Sequence, residues 1–422
     1  MKRRIYTWIN PYILIFIIYS IIGIGIIILS FRKQDYWTLG RNTKTEHNRN
    51  QTLDIFRAFA LCMMASIHFM RGFINDYQGT WEGGLRYILE SAPVFFFIAF
   101  GMTALHSVSG PRKWRRLLEL GIISLLHQLY QKAFSPFQFD FILFLWFMLL
   151  IIAIFRRLFL IRLFRLAILV GIIIFNLLIG HGQVAIFGEH PFGPIPWAFC
   201  VIIGMMIGLE TQTEEQRIRL AVIGAVLIVW TYAIQWLAPD LGLKLNMIIF
   251  SKWKPTTSTY LLLWSGIAMC VYGLFGYIRL KTKSIFTKFI RIISVFLLQG
   301  TALHYFTNSA LARIFHQGGY STDIVFPWHM LIIAIAAVCL AIYVVITIMI
   351  DLRRIITAFV LNEKTLYLCG WVIAILILMI GLVFLFAGLS LSGLWAVSAI
   401  GMVIMAFVII DTRKIDYLNV EK

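Results

Sequence analysis

Apolar runs of about 18–25 residues recur along this chain, each long enough as a helix to cross a hydrocarbon core of about 30 Å. A backbone inside lipid finds no water to bond, so runs of this kind are satisfied by closing their own hydrogen bonds as α-helices. The spans read as roughly 12–31, 54–74, 87–108, 117–131, 140–155, 164–180, 195–209, 220–238, 259–278, 292–312, 324–350, 366–388 and 392–410. The fourth is short enough to be re-entrant. The expected fold is therefore all-α, a polytopic transmembrane helical bundle of about 11–13 spans. Residues 1–422 form a single membrane domain, with no repeat period and no low-complexity linker dividing it.

Composition closes off the alternatives. Apolar residues make up 60% of the 422 and charged residues only 13%, about half the roughly 25% of a soluble domain. That excludes a soluble globular enzyme, a disordered chain and a disulfide scaffold. The net charge of +18 does not point to nucleic acid, because the positives sit in short clusters between apolar spans, as in the cytoplasmic loops of membrane proteins. Cys62, Cys200, Cys270, Cys339 and Cys369 all fall inside apolar spans without a CxxC pair, and read as small core residues.

Lys and Arg in the loops set the orientation. One set of loops carries Arg112, Lys113, Arg115 and Arg116, then Arg156, Arg157, Arg162 and Arg165, then Arg279, Lys281, Lys283, Lys288 and Arg291. The intervening loops are poor in positives, and 181–194 has none. Segment 32–52 and the C-terminus are accordingly expected in the cytoplasm. Lys2, Arg3 and Arg4 precede the first span and fall outside by this alternation, outvoted by Arg32, Lys33, Arg41, Lys44 and Arg49 after it. The apolar run is too long for a cleaved signal peptide.

The second span carries the unusual chemistry. Residues 51–74 read QTLDIFRAFALCMMASIHFMRGFI. Thr52 or Asp54 can cap the helix. Arg57 lies one turn inside, and His68 follows with ten residues between them. Eleven steps of about 100° return to within about 20° of the start, so Arg57 and His68 share a face, about 16 Å apart along the axis. Asp54 lies on the same side. Each residue alone has a plain reading: Asp54 as a cap and partner of Arg57, Arg57 as a side chain snorkelling to the interface, His68 as a hydrogen-bonded core residue. Three ionisable groups on one face of a membrane helix point instead to a site, because such groups are costly in lipid and usually face a cavity or pathway.

LDIFRAFALCMMASIH resembles the opening signature of integral-membrane acyltransferases related to heparan-alpha-glucosaminide N-acetyltransferase, whose bacterial members begin with an L-D-x-x-R-G stretch, a Met-rich helix and a His. The Arg-x10-His spacing is also that of the acyltransferase-3 membrane enzymes. SAPVFFFIAFG (91–101), FQFDFILFL (137–145), PFGPIPWAFCVIIGMMIG (191–208) and KPTTSTYLLLWSG (254–266) resemble further family segments in the same order. Ala58 stands where the family has Gly, and the late G-[KR]-x-x-L-x-x-Y-x-x-H motif is degraded over 290–304, where Arg291 and His304 survive in loose register. The resemblance covers about 50–310, an acyltransferase-like core, and leaves 311–422 as additional C-terminal transmembrane helices.

The resemblance implies an acyl-CoA-dependent acyltransferase with no bound cofactor, and the His and carboxylates lack metal-ligand spacing, so no metal is expected. It would move an acyl group, by default acetyl, from cytoplasmic acyl-CoA to an extracytoplasmic or membrane-borne acceptor such as a glycan hydroxyl or amine. The setting it implies is a bacterial cytoplasmic membrane. Arg57 and Arg291 are candidates to hold the donor, since guanidinium groups bind phosphates well. His68 is the candidate catalytic base, or, in a ping-pong route, the acyl carrier. Asp54, His304 and Asn308 are candidates for supporting or acceptor-side roles; the last two lie four apart and share a face. His106 and His127 read as packing residues, and His181, Glu189 and His190 as an outer loop that could line an acceptor entrance. Gly300 and the GMMIG segment read as helix-packing material. The Phe run at 94–100 reads as lipid-facing, as core packing or as the wall of an acyl slot. A transporter or flippase without covalent chemistry is the competing reading of the same polar seam, and a membrane scaffold or sensor is a third.

Overall fold

The computed structural model of the protein describes residues 50–73, 81–109, 113–130, 140–178, 194–211, 213–237, 258–278, 284–304, 328–386 and 391–410. The first span and residues 181–193 lie outside them. The described residues form fifteen helices: α1 (Gln51–Phe73), α2 (Trp81–Leu89), α3 (Ala92–Ser107), α4 (Lys113–Tyr130), α5 (Phe141–Ile154), α6 (Arg156–Leu160), α7 (Arg162–Leu178), α8 (Pro194–Glu210), α9 (Glu214–Leu237), α10 (Ser258–Phe275), α11 (Ile285–Val295), α12 (Leu297–His304), α13 (Trp328–Phe359), α14 (Glu363–Phe386) and α15 (Leu391–Val408). The protein is an all-α helical bundle whose helices are long and apolar enough for an integral membrane protein.

Among the described residues four helices are long and apolar enough to cross a membrane, or five if the bent pair α11–α12 is one span, against thirteen apolar runs expected; two of the expected spans also differ in form. Residues 113–130 form one helix of 18 residues, longer than the run 117–131 read from the sequence. The tenth span is broken: α11 and α12 meet at Phe296 with a bend of 84°. Ser284 starts α11 by accepting from the Phe286 N–H at 3.2 Å, and the Phe296 carbonyl accepts from Gly300 N–H at 2.8 Å across the corner.

Burial separates central from peripheral helices. Within their most apolar windows, 72% of α1 and 83% of the α2–α3 segment Gly84–Ser107 are buried, against 28% of α9 and 22% of α13. The outer helices show why. On α9, Ile218, Val222, Val226 and Val229 are exposed at helical spacing, and on α13 Leu340, Val344, Ile348, Leu352 and Ile355 form a like stripe. An apolar stripe left outside a bundle is a lipid-facing surface.

The centre is held by close backbone approach. α3 lies against α8, where a Cβ on Gly101 would overlap the carbonyl oxygen of Val201 and a Cβ on Gly204 that of Ile98. Gly204 and Gly208 are four apart, the small-xxx-small spacing that lets membrane helices touch. The Phe run is core: Phe95, Phe96 and Phe97 are buried, and Phe97 packs on Phe141, Phe144 and Trp197 with centroids 4.6–5.2 Å apart. The C-terminal helices close against this body. α14 and α15 pack on α4, and buried Arg353 of α13 donates to the Phe407 and Val408 carbonyls, satisfying acceptors that the end of α15 leaves open.

Candidate functional site

α1 is built with two different faces. Phe56 and Phe59 anchor one of them, with ring centroids 5.4–5.9 Å from Phe95, Tyr272 and Phe275. The other face carries Asp54, Arg57, Leu61 and His68 at helical spacing and meets the broken pair α11–α12. Contacts with that pair step up α1: the Ser294 hydroxyl donates to the Asp54 carboxylate at 2.6 Å, a Cβ on Gly300 would overlap Leu61, and the ring of His304 lies 5.0 Å from that of His68, centroid to centroid. The missing side chain at Gly300 lets α12 seat against the helix between the two ionisable ends.

The start of α1 differs from expectation. Its cap is Asn50, whose side-chain oxygen accepts from Leu53 N–H at 3.2 Å while its amide donates to the Tyr272 hydroxyl at 3.3 Å. Asn is as good a cap as Asp, so Asp54 is released from that role and turns its carboxylate to α11. Arg291 is buried on α11, one turn before Ser294, and residues three apart on a helix share a face. Arg57 and Arg291 thus each lie one turn from the Asp54–Ser294 bond on their own helices, at one end of the seam. His68, half-buried, and His304, wholly buried, stand together at the other. Asn308, His181, Glu189 and His190 lie outside the described residues.

Two further polar groups escaped the sequence reading. The first is His127 with Asp140. His127 is buried one turn before the end of α4, and its Nδ1 lies 2.9 Å from the Asp140 carboxylate. Asp140 also caps α5, accepting from Leu143 N–H at 2.6 Å. The signal was present as an ionisable pair at the end of one helix and the start of the next, and the two helices pack as neighbours. His106, grouped with His127 as a packing residue, is exposed. The second group sits at the other ends of α7 and α8. Buried Arg165 donates to Glu210 at 2.8 Å and to the Phe159 and Leu160 carbonyls, and Arg162 lies 3.3 Å from the second Glu210 oxygen. In sequence Arg162 and Arg165 look like loop positives, whereas both lie in α7.

The polar side chains at α1 thus fall at two levels. Near the start of α1 lie Asn50, Asp54, Arg57 and Arg291, with Tyr272 in contact. Toward its end lie His68 and His304.

The catalytic-domain model of the heparan-alpha-glucosaminide N-acetyltransferase family matches residues 49–236 of this chain. The match takes in α1 with Asp54, Arg57 and His68, and the His127–Asp140 pair. It ends within α9, short of the 254–266 segment and of Arg291 and His304. No curated protein and no solved structure is significantly similar to the chain.

Proposed function

From this resemblance to a membrane N-acetyltransferase family, we propose that the protein transfers an acetyl group from acetyl-CoA, held at the Arg57–Arg291 end of the α1 seam, to an acceptor at the His68 end. The acceptor class the reading favours is a glycan amine or hydroxyl, and the donor end faces the cytoplasm, because the basic loops lie on that side. The observation that supports it most is a coincidence of two independent facts. The stretch matched to an acetyltransferase catalytic domain contains the helix on which an arginine and a histidine share one face, and that face meets α11–α12.

The geometry suits the donor. The arm linking nucleotide and thioester in coenzyme A is an extended chain of about 15–20 Å, comparable with the roughly 16 Å from Arg57 to His68 along α1. Phosphates held by Arg57 and Arg291 therefore leave the thioester near the two imidazoles. In the transfer, His68 takes the proton of the attacking amine or hydroxyl. The acceptor atom bonds to the carbonyl carbon, the C–S bond breaks, and the thiolate leaves and is protonated. His304, packed against His68, holds the ring that does this work.

Arg57 gives the test of the donor end. A snorkelling arginine can be replaced by lysine with little effect, because both keep a charge at the end of a long apolar stem. A guanidinium that grips phosphate through two N–H groups cannot be so replaced. Arg57→Lys is expected to raise the KM for acetyl-CoA about tenfold, the size of one lost charge-assisted bond, with kcat little changed. The measurement is thiol release from acetyl-CoA by purified protein supplied with membranes of the expression host as acceptor. An unaltered KM in folded Arg57→Lys protein removes Arg57 from donor binding, and absence of thiol release by the unmodified protein removes the proposed activity.

A further inference from the structure

The Arg57–Arg291 end of the seam takes up one stretch of the donor, and a third guanidinium lies at that end of the bundle. Asn50, at the start of α1, donates to the Tyr272 hydroxyl near the end of α10 at 3.3 Å. Phe56, next to Arg57, packs edge-on against the Tyr272 ring with centroids 5.6 Å apart. Gly276 follows four residues after Tyr272, just past the end of α10. A Cβ on Gly276 would lie 2.8 Å from Nε and 3.0 Å from Cδ of Arg217 on α9, so the missing side chain is what lets the arginine lie there. The starts of α1 and α9 and the end of α10 therefore meet, at the donor end of α1. Arg219, two residues after Arg217, is paired with Glu215. Arg217 is half-buried, and its Nε is shut off from solvent with no acceptor among the described residues. A guanidinium N–H withdrawn from water without a partner is costly, and such a group asks for an explanation in something it binds.

Resting on the acyltransferase reading, we infer that Arg217 binds the 3′-phosphate on the ribose of acetyl-CoA, and so selects the donor by its nucleotide. The thioester arm begins at the diphosphate. With the diphosphate at Arg57 and Arg291 and the arm running up α1, the ribose and its 3′-phosphate are left outside the seam, where the start of α1 meets α9 and α10. A phosphate monoester carries nearly two negative charges at neutral pH, and the planar guanidinium fork matches its oxygens. Arg217 then supplies the charge for the one donor phosphate that the seam itself does not hold.

A purely structural role makes a different claim. As a strut between α9 and α10, Arg217 would matter to every donor alike. As a phosphate ligand it matters only to donors that carry the 3′-phosphate. The test uses full-length protein with host membranes as acceptor source, and measures thiol release from acetyl-CoA and from acetyl-3′-dephospho-CoA, which lacks that phosphate alone. In the unmodified protein the dephospho donor should show a KM about tenfold higher, the size of one lost charge-assisted bond, at the same kcat. Arg217→Gln should raise the acetyl-CoA KM by about the same factor, leave kcat in place, and leave the KM for the dephospho donor where it was. Equal KM values for the two donors in the unmodified protein overturn the assignment without recourse to any variant. An unaltered acetyl-CoA KM in folded Arg217→Gln protein overturns it too, as does a KM that rises equally for both donors. Each of these leaves the acyltransferase reading standing. Thiol release absent from the unmodified protein with either donor overturns both.

Discussion

Replacing His68 by alanine is expected to remove acetyl transfer, lowering the rate by about 10²–10⁴-fold, the usual loss when a positioned general base is deleted. The loss should fall on kcat. The proposed donor contacts lie at the other end of the seam, Arg57 about 16 Å away along α1, so the acetyl-CoA KM should hold within about twofold. The fold should also hold. His68 is half-buried, and its packing partner His304 is fixed independently by α12, whose Gly300 seats on Leu61. Gel filtration and a thermal melt of the variant in detergent check the fold, and thiol release checks the rate. Near-normal turnover in a folded His68→Ala protein would take the imidazole out of the chemistry.

The largest structural effect is expected at Gly204. Its Cα lies where α8 crosses α3, and an added Cβ would run into the Ile98 carbonyl and the Cα of Gly101 at 3.0 Å. These are backbone atoms of a packed helix, and no rotamer change relieves them. Overpacking costs about 1–3 kcal/mol and occasionally more; with backbone as the obstacle, Gly204→Leu should sit at or beyond the upper end. The two helices must then separate, and the Phe97, Phe141 and Trp197 contacts beside them open. The expected result is a much lower melting temperature in detergent and poor recovery of monodisperse protein. Gly171 is the control. It lies on α7 with nothing within 4 Å of an added Cβ, so Gly171→Ala should be neutral or stabilise by up to about 1 kcal/mol through helix propensity. Equal melting temperatures for the two variants would mean that α3 and α8 do not meet at Gly204.

Reading the chain alone placed the helices well because an apolar run in lipid has one way to satisfy its backbone. It placed Arg57 and His68 on a common face because helical period is arithmetic. It missed what depends on partners. Asn50 competes with Thr52 and Asp54 for the start of α1 on equal terms, and the choice is made by Tyr272, 222 residues away in the chain. The corner at Phe296 has no proline to announce it, since the residues from Ile285 to His304 are a continuous helix former by composition. The pairing of His68 with His304 depends on that corner and on Gly300, so the degraded motif at 290–304 pointed to the right residue without showing what it would meet. His127 looked like packing because its partner Asp140 is a helix cap across a loop, and Arg162 and Arg165 looked like loop charges because Glu210 sits on another helix.

The central claim is that one helix connects a donor at its Arg57 end with an acceptor at its His68 end, across the membrane. Sealed vesicles containing the purified protein test it most directly, with label in the acetyl group of acetyl-CoA trapped inside and glucosamine, or a glycan extract, supplied outside. Both compounds are too polar to cross the bilayer unaided. Labelled acetyl groups should appear on the outer acceptor with the unmodified protein and be absent with His68→Ala. Label that stays in the inner compartment, or that reaches the outer acceptor equally with His68→Ala, would contradict it.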